Sequence, residues 1–293
     1  MAIKDIIKLF LPPIVLKIKS WGQRNKLHES PLPQIEHHSD KMIIIGNGPS
    51  LNITVNRYKE QILSCDRIAV NFFAASDLYE ELKPNIYVFA DPAFFNSPDN
   101  QKKSVENLFN SLISRTIWPL HIIIPLSAKD ALSVTKLHQN QNICIDYYYD
   151  GWNDIGKMNK FEAWNRNLIV PPAQNVLNVA LYLSLFWNYE ETYLIGADSS
   201  FLEDLRVDQE TNELFTIDTH FYNNEKVYSD KDLFHKTKGR VRSDWTLHEL
   251  IYAHGRMFEY YYELKQYADY KGLKVYNASD YSWINVFERK NLC

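Results

Sequence analysis

Four short apolar runs in this 293-residue chain each end on a glycine, an amide or a carboxylate. In "KMIIIGNGPSLN" the residues Gly46, Asn47, Gly48, Pro49 and Ser50 follow three isoleucines. "IAVNFF" supplies Asn71, "YVFADPAFF" supplies Asp91, and "YLIGADSSF" supplies Gly196, Asp198 and Ser200. A glycine turn at the mouth of a strand lets backbone N–H groups approach a phosphate or ribose with no Cβ in the way. As a bare motif "GNGPSL" is weak, because it lacks the third glycine of the dinucleotide fingerprint and the Lys-Ser/Thr of a P-loop. Asn and Asp also end strands for ordinary turn reasons. The repetition at four strand ends is what points to one shared binding rim.

A second group of reactive residues lies further along. "DTHFYNNEKVY" gathers His220, Tyr222, Lys226 and Tyr228, Arg240 and Arg242 follow, and "LHELIYAHGR" carries His248 and His254. His248 and His254 are six apart, about 600° around a helix, so they point from different faces. A histidine amid Tyr and Leu is more often a packing residue than a reactive one, which favours His220 over His254 as a base.

These residues need elements to hold them. Short apolar runs predict strands at Met42 to Ile45, Arg67 to Val70, Ile86 to Ala90, Leu120 to Ile124, Ile143 to Asp146, Thr192 to Ile195 and Leu273 to Tyr276. Helical patterns fall at Tyr58 to Ser64, Ser76 to Leu82, Ser104 to Ser114, Ala128 to His138 and Asn175 to Trp187. A long aromatic helix, Asp244 to Tyr270, opens after Ser243 as cap and ends before Gly272. Continuous apolar strands separated by helices predict an α/β fold: a Rossmann-like, mostly parallel sheet with helices on both faces. The polar stretch 199–243 is longer than a connection requires and reads as a small lid.

The polar segment His28 to Asp40 reads as a linker, so the domain proper is expected over 41–293 and a separate amino-terminal segment over 1–40. Residues 1–20 mix Ile, Leu, Phe and Val with lysines and are broken by Pro12-Pro13. That pattern is too short and interrupted to span a bilayer but suits an amphipathic contact with an anionic membrane surface. A first helix packed on the domain fits it equally well. A net charge of −4 and a pI near 6.1 leave no basic field for nucleic acid. The three cysteines, Cys65, Cys144 and Cys293, have no paired spacing suited to zinc or a disulfide framework, which fits a reducing cytoplasm.

The segments "IIIGNGPSL", "VNFF", "FADPAFF" and "NVALYLSLFWNYEETYLIGAD" resemble those of bacterial CMP-sialic-acid-dependent sialyltransferases of the lipooligosaccharide type. They are also similar to the 6-hydroxymethylpterin diphosphokinase-like domain of envelope-polysaccharide proteins. The resemblance runs from about Lys41 to Glu288. It implies a GT-A variant fold that works without metal or other cofactor, with Asn47, Asn71 and Asp91 around the cytidine and its ribose. It also implies that Gln174 and Asn175 approach the donor. Pro171 stands where the family has an arginine, and Ser200 where it has a phosphate-binding tyrosine. Arg240 and Arg242 are candidates to take over from the arginine by gripping a donor carboxylate. Sialic, legionaminic, pseudaminic and Kdo-type sugars remain open as donors.

Transfer from a nucleotide sugar needs a base for the acceptor hydroxyl and donors for the departing phosphate. His220 is the expected base, with His254 as its rival, and Tyr222 and Tyr228 belong near the phosphate. No DxD pair stands at a strand end; Asp230 and Asp232 form one only inside the polar loop, so no GT-A metal site is evident. The expected partners are a nucleotide-sugar donor and a glycan or lipid-linked glycan acceptor at the inner-membrane surface of a bacterium, with the protein on the cytoplasmic side. A homo-oligomer is compatible with this. A diphosphokinase-like pterin enzyme and a non-catalytic nucleotide-binding module in envelope assembly are the competing readings.

Overall fold

The computed structural model describes residues 32–97, 99–151, 157–171, 174–203, 205–207, 209–212, 214–216 and 246–292. The segment 1–20 and the residues His220, Tyr222, Tyr228, Arg240 and Arg242 lie outside the described residues.

Eight strands form one sheet: β1 (Lys41–Ile45), β2 (Asp66–Val70), β3 (Ile86–Val88), β4 (Leu120–Pro125), β5 (Ile143–Tyr148), β6 (Glu191–Ile195), β9 (Lys274–Asn277) and β10 (Glu288–Arg289). Their order is β10-β9-β6-β1-β2-β3-β4-β5, and every neighbouring pair is parallel. Parallel neighbours need crossovers, which are supplied by α1 (Leu51–Leu63), α2 (Leu78–Leu82), α3 (Asp99–Arg115), α4 (Leu132–Leu137), α5 (Lys160–Asn165), α6 (Val176–Phe186) and α7 (Leu247–Lys271). A small antiparallel hairpin, β7 (Leu205–Val207) with β8 (Leu214–Thr216), lies within the stretch read as a lid.

Because side chains alternate along a strand, the sheet feeds two cores. Ile43, Ile45, Ala69, Tyr87 and Ile122 pack with α1, α3 and α4 on one face. Met42, Ile44, Ile68, Val70 and Val88 pack with α6 and α7 on the other. This is the Rossmann-like arrangement that the alternating pattern predicts. Helix α6 is buried from Val176 through Leu185, as expected of a helix apolar on every side, sandwiched between sheet and α7. Among the described residues no helix is long and apolar enough to cross a membrane.

Several boundaries differ from the sequence reading. Helix α1 starts at Leu51, directly after the glycine turn, and the expected start at Tyr58 is only a kink with φ −129° and ψ 27°. The long helix opens at Leu247. Its N-cap is Thr246, not Ser243, in a capping box closed by Glu249, which satisfies helix N–H groups that would otherwise lack acceptors. Helix α5, strand β10 and the β7–β8 hairpin are additions.

The chain builds β1 to β5 outward in one direction and then returns to β6 on the other side of β1. The β1/β6 boundary is therefore the switch point, where open α/β sheets bind ligands beyond their carboxyl ends. Helices α6 and α7 enter β6 and β9 through short connections, so both run antiparallel to the sheet and open at this carboxyl rim.

Candidate functional site

The half of the rim at β1 and β6 is closed on itself. The Gly46 amide donates to the Ile195 carbonyl at 2.8 Å, and the Gly48 amide donates to the Gly196 carbonyl at 2.8 Å. Ser50 donates twice to Asp198, from its amide to Oδ2 at 3.0 Å and from Oγ to Oδ1 at 2.5 Å. A Cβ on Gly46 would lie 2.3 Å from the Gly196 oxygen, and one on Gly48 would lie 2.2 Å from Asp198 Oδ1. The glycines are thus required by the close approach of the two loops, and the amides of Gly46, Gly48 and Ser50 are already engaged. The carboxyl-terminal segment locks the same loop: Ser279 Oγ accepts from the Ala197 amide at 3.0 Å, and the Trp283 amide donates to the Asp198 carbonyl at 2.8 Å. Burial raises the Asp198 carboxyl above its ordinary range, against the lowering effect of the bonds from Ser50. Pro49 is exposed at the head of α1.

The other half of the rim leaves polar atoms unspent. Asn71 follows β2 with φ +50°, a left-handed conformation that asparagine adopts more readily than most residues. Its Oδ1 is buried and finds no hydrogen-bond partner among the described residues, an arrangement that needs an explanation. Asn47 reaches across from β1 and donates from Nδ2 to the Val70 carbonyl at 3.0 Å, bringing the two asparagines to adjacent strand ends. One strand further on, Asp91 is exposed, with Oδ1 accepting from the Ala93 amide at 2.8 Å to cap a short 3₁₀ turn.

Helix α6 opens toward this region. Asn175 is its N-cap, accepting from the Asn178 amide at 2.9 Å, and its Nδ2 donates to the Tyr261 hydroxyl of α7 at 3.3 Å. Burial pushes the Tyr261 phenol up to about 12. Gln174, just before the cap, is exposed. One turn into α6, Asn178 is fully buried, and neither its Oδ1 nor its Nδ2 finds a partner among the described residues. Asn178 is not among the residues expected from the sequence, although a lone amide in "VLNVALYLSLF" is a visible signal. Tyr261, on the aromatic face of α7, carried none.

Ser199, also left-handed at φ +50°, and half-buried Ser200 carry the chain away from the rim toward Phe201. The Phe201 ring lies 5.3 Å from that of His254. His254 is half-buried, and its Nδ1 is 2.8 Å from the Leu250 carbonyl oxygen. A carbonyl only accepts, so Nδ1 holds the proton and a neutral ring keeps its lone pair on Nε2. His248 instead faces Thr246 Oγ1 at the exposed start of α7.

No protein-family model and no curated protein sequence matches the chain. Among solved structures, it is similar to the MAf glycosyltransferase from Magnetospirillum magneticum AMB-1, with a TM-score of 0.49 and 12% sequence identity, covering 88% of this chain and 34% of that chain. The chain therefore spans about a third of that structure's length.

Proposed function

We propose that this chain is a glycosyltransferase that moves an acidic sugar, of the nonulosonic or Kdo type, from a CMP-activated donor to a cell-envelope glycan. The carrying observation is Asn71: a left-handed residue at the carboxyl end of β2, beside the switch point, with a buried amide oxygen awaiting a donor. The exocyclic amine of cytosine is such a donor. In this reading Asn71 and Asn47 face the cytidine, Asp91 accepts from ribose hydroxyls, and the amino end of α6 at Gln174 and Asn175 faces the phosphate, where the helix dipole favours negative charge.

Catalysis then needs no divalent ion. The acceptor oxygen bonds to the anomeric carbon, the bond from that carbon to the phosphate oxygen breaks, and CMP departs with the electron pair. The hydroxyl proton goes to Nε2 of His254. His220, the base expected from the sequence, lies outside the described residues and stands here as the rival to His254, with Tyr222 and Tyr228 as further candidates near the phosphate, and Arg240 or Arg242 would pair with the sugar carboxylate. Residues 1–20 would hold the enzyme at the inner-membrane surface, where a lipid-linked acceptor is presented; deleting them should abolish binding to anionic vesicles and leave the fold unchanged.

The test is CMP release from a panel of CMP-activated acidic sugars, with acceptor glycan and chelator present. His254→Ala should lower turnover by roughly 10² to 10⁴ with an unchanged melting temperature, while His220→Ala stays active. The reverse pattern moves the base to His220. No CMP release with any donor contradicts transfer itself, and binding of ATP with Mg²⁺ in place of CMP would favour the diphosphokinase-like alternative.

A further inference from the structure

Far from this rim, the outer strand pair brings three metal-ligating side chains together. In the parallel register of β4 and β5, His121 lies directly opposite Cys144, and Ile123 lies opposite Asp146. Side chains two residues apart share a face of a strand, so Cys144 and Asp146 both flank His121. His121 Nδ1 is 3.1 Å from Asp146 Oδ2, Cys144 Sγ is 3.7 Å from the same oxygen, and all three ligand atoms fall within 4.8 Å of one another.

We propose that His121, Cys144 and Asp146 bind a borderline-soft divalent cation, Zn²⁺ foremost. Tetrahedral zinc with bonds of about 2.0 Å to nitrogen and oxygen and about 2.3 Å to sulfur sets its ligands about 3.3 Å (N to O) and about 3.5 Å (S to O and S to N) apart. The nitrogen–oxygen and sulfur–oxygen separations of 3.1 and 3.7 Å are within a few tenths of an ångström of these values, and the sulfur–nitrogen pair lies within 4.8 Å. One thiolate, one imidazole and one carboxylate suit zinc, or cobalt as its stand-in, and do not suit Mg²⁺ or Ca²⁺, which require oxygen ligands. Cys144 is exposed and the His121 side chain is 37% exposed, which leaves an entry path and room for water as the fourth ligand. The ligands stand on paired strands, so little backbone must be ordered to bind the ion.

The site is separate from the proposed transfer chemistry. His121 precedes the carboxyl end of β4 by four residues, about 13 Å at 3.3 Å per residue, and β2 and β3 lie between β4 and the switch-point strand β1. A bound ion would clip the edge strand β5 to its neighbour.

The full chain, stripped with chelator and dialysed, is titrated with Co²⁺ and then Zn²⁺. A single Co²⁺ per chain should develop the intense visible bands of a tetrahedral site and a thiolate charge-transfer band in the near ultraviolet, and Zn²⁺ should displace it. Cys144→Ser should abolish the thiolate band, and Asp146→Asn should weaken binding at least tenfold. Cys65→Ser, which removes a buried thiol elsewhere, should leave the spectrum unchanged. Absence of the thiolate band in the wild-type chain at stoichiometric Co²⁺ overturns the assignment whatever the variants do, and so does a band that survives Cys144→Ser. Zn²⁺ should also raise the wild-type melting temperature without changing CMP affinity, which separates this site from the rim.

Discussion

The two halves of the carboxyl rim carry the same kinds of residue and use them in opposite ways. At β1 and β6, glycines, a serine and an aspartate satisfy one another: Ser50 spends two donors on Asp198, and the Gly46 and Gly48 amides are taken by the β6 strand and loop. At β2, and at the amino end of α6, Asn71 and Asn178 hold buried amide atoms that meet no partner among the described residues. On the proposed reading, a polar residue at a strand end points to a ligand only when its atoms remain unspent. The glycine motif that first draws attention is held by the packing and hydrogen bonds of the β6 loop, and under the proposed function the plain asparagine beside it is the better marker of the site.

Breaking the closed half should give the largest effects, and they should be effects on stability. Gly46→Ala drives a methyl into backbone that cannot swing aside, and should cost about 3 kcal/mol or more of unfolding free energy. Gly48→Ala meets a side-chain carboxylate instead and should cost about 1–3 kcal/mol. Denaturant titration of both variants checks the order. Asp198→Ala should cost about 1.5–3 kcal/mol, since it strands the buried Ser50 amide and leaves the hydroxyl only a long bond to the Tyr281 carbonyl, while CMP affinity of the folded variant stays near wild type. A stable Asp198→Ala protein with lost CMP affinity would erase the distinction between the halves.

The open half should respond the other way. Asn71→Gly keeps a residue that tolerates positive φ, so the melting temperature should hardly move, yet CMP should bind more weakly by about 1–3 kcal/mol. A variant that unfolds while retaining CMP affinity would make Asn71 architectural as well. The smallest effect is on pH. With its carboxyl raised by burial, Asp198 holds its proton more tightly in the folded chain than in the unfolded one. Its contribution to stability should therefore grow as pH falls from the folded pKa toward the ordinary carboxylate value, and fade as pH rises through that window. Melting curves of wild type and Asp198→Asn across mildly acidic pH should differ in slope by this contribution.

Much of the scaffold was legible in the sequence. The seven predicted strands fall within two residues of those observed at either end, because strands buried on both faces are continuous apolar runs. Helix α6 was equally plain. The start of α1 was not, since Asn52, Ile53, Thr54, Val55 and Asn56 are indifferent helix formers and what fixes that turn is Ser50 bonding to Asp198, 148 residues away. The same distance hid the reason for Gly46 and Gly48. Strand-end residues could be placed on one rim from order alone, but which of them were already engaged depended on partners across the switch point. His121, Cys144 and Asp146 could not be grouped from spacing, because strand register alone brings them together.

The most direct test of the central claim is calorimetry of CMP, UMP and AMP with the wild-type chain, Asn71→Gly and Asp198→Ala at fixed salt and without divalent ions. CMP should bind tightest to the wild type, Asn71→Gly should lose about 1–3 kcal/mol of that affinity while keeping its fold, and folded Asp198→Ala should bind CMP as the wild type does. Equal binding of the three nucleotides, or an Asn71→Gly variant with undiminished CMP affinity, would contradict that claim.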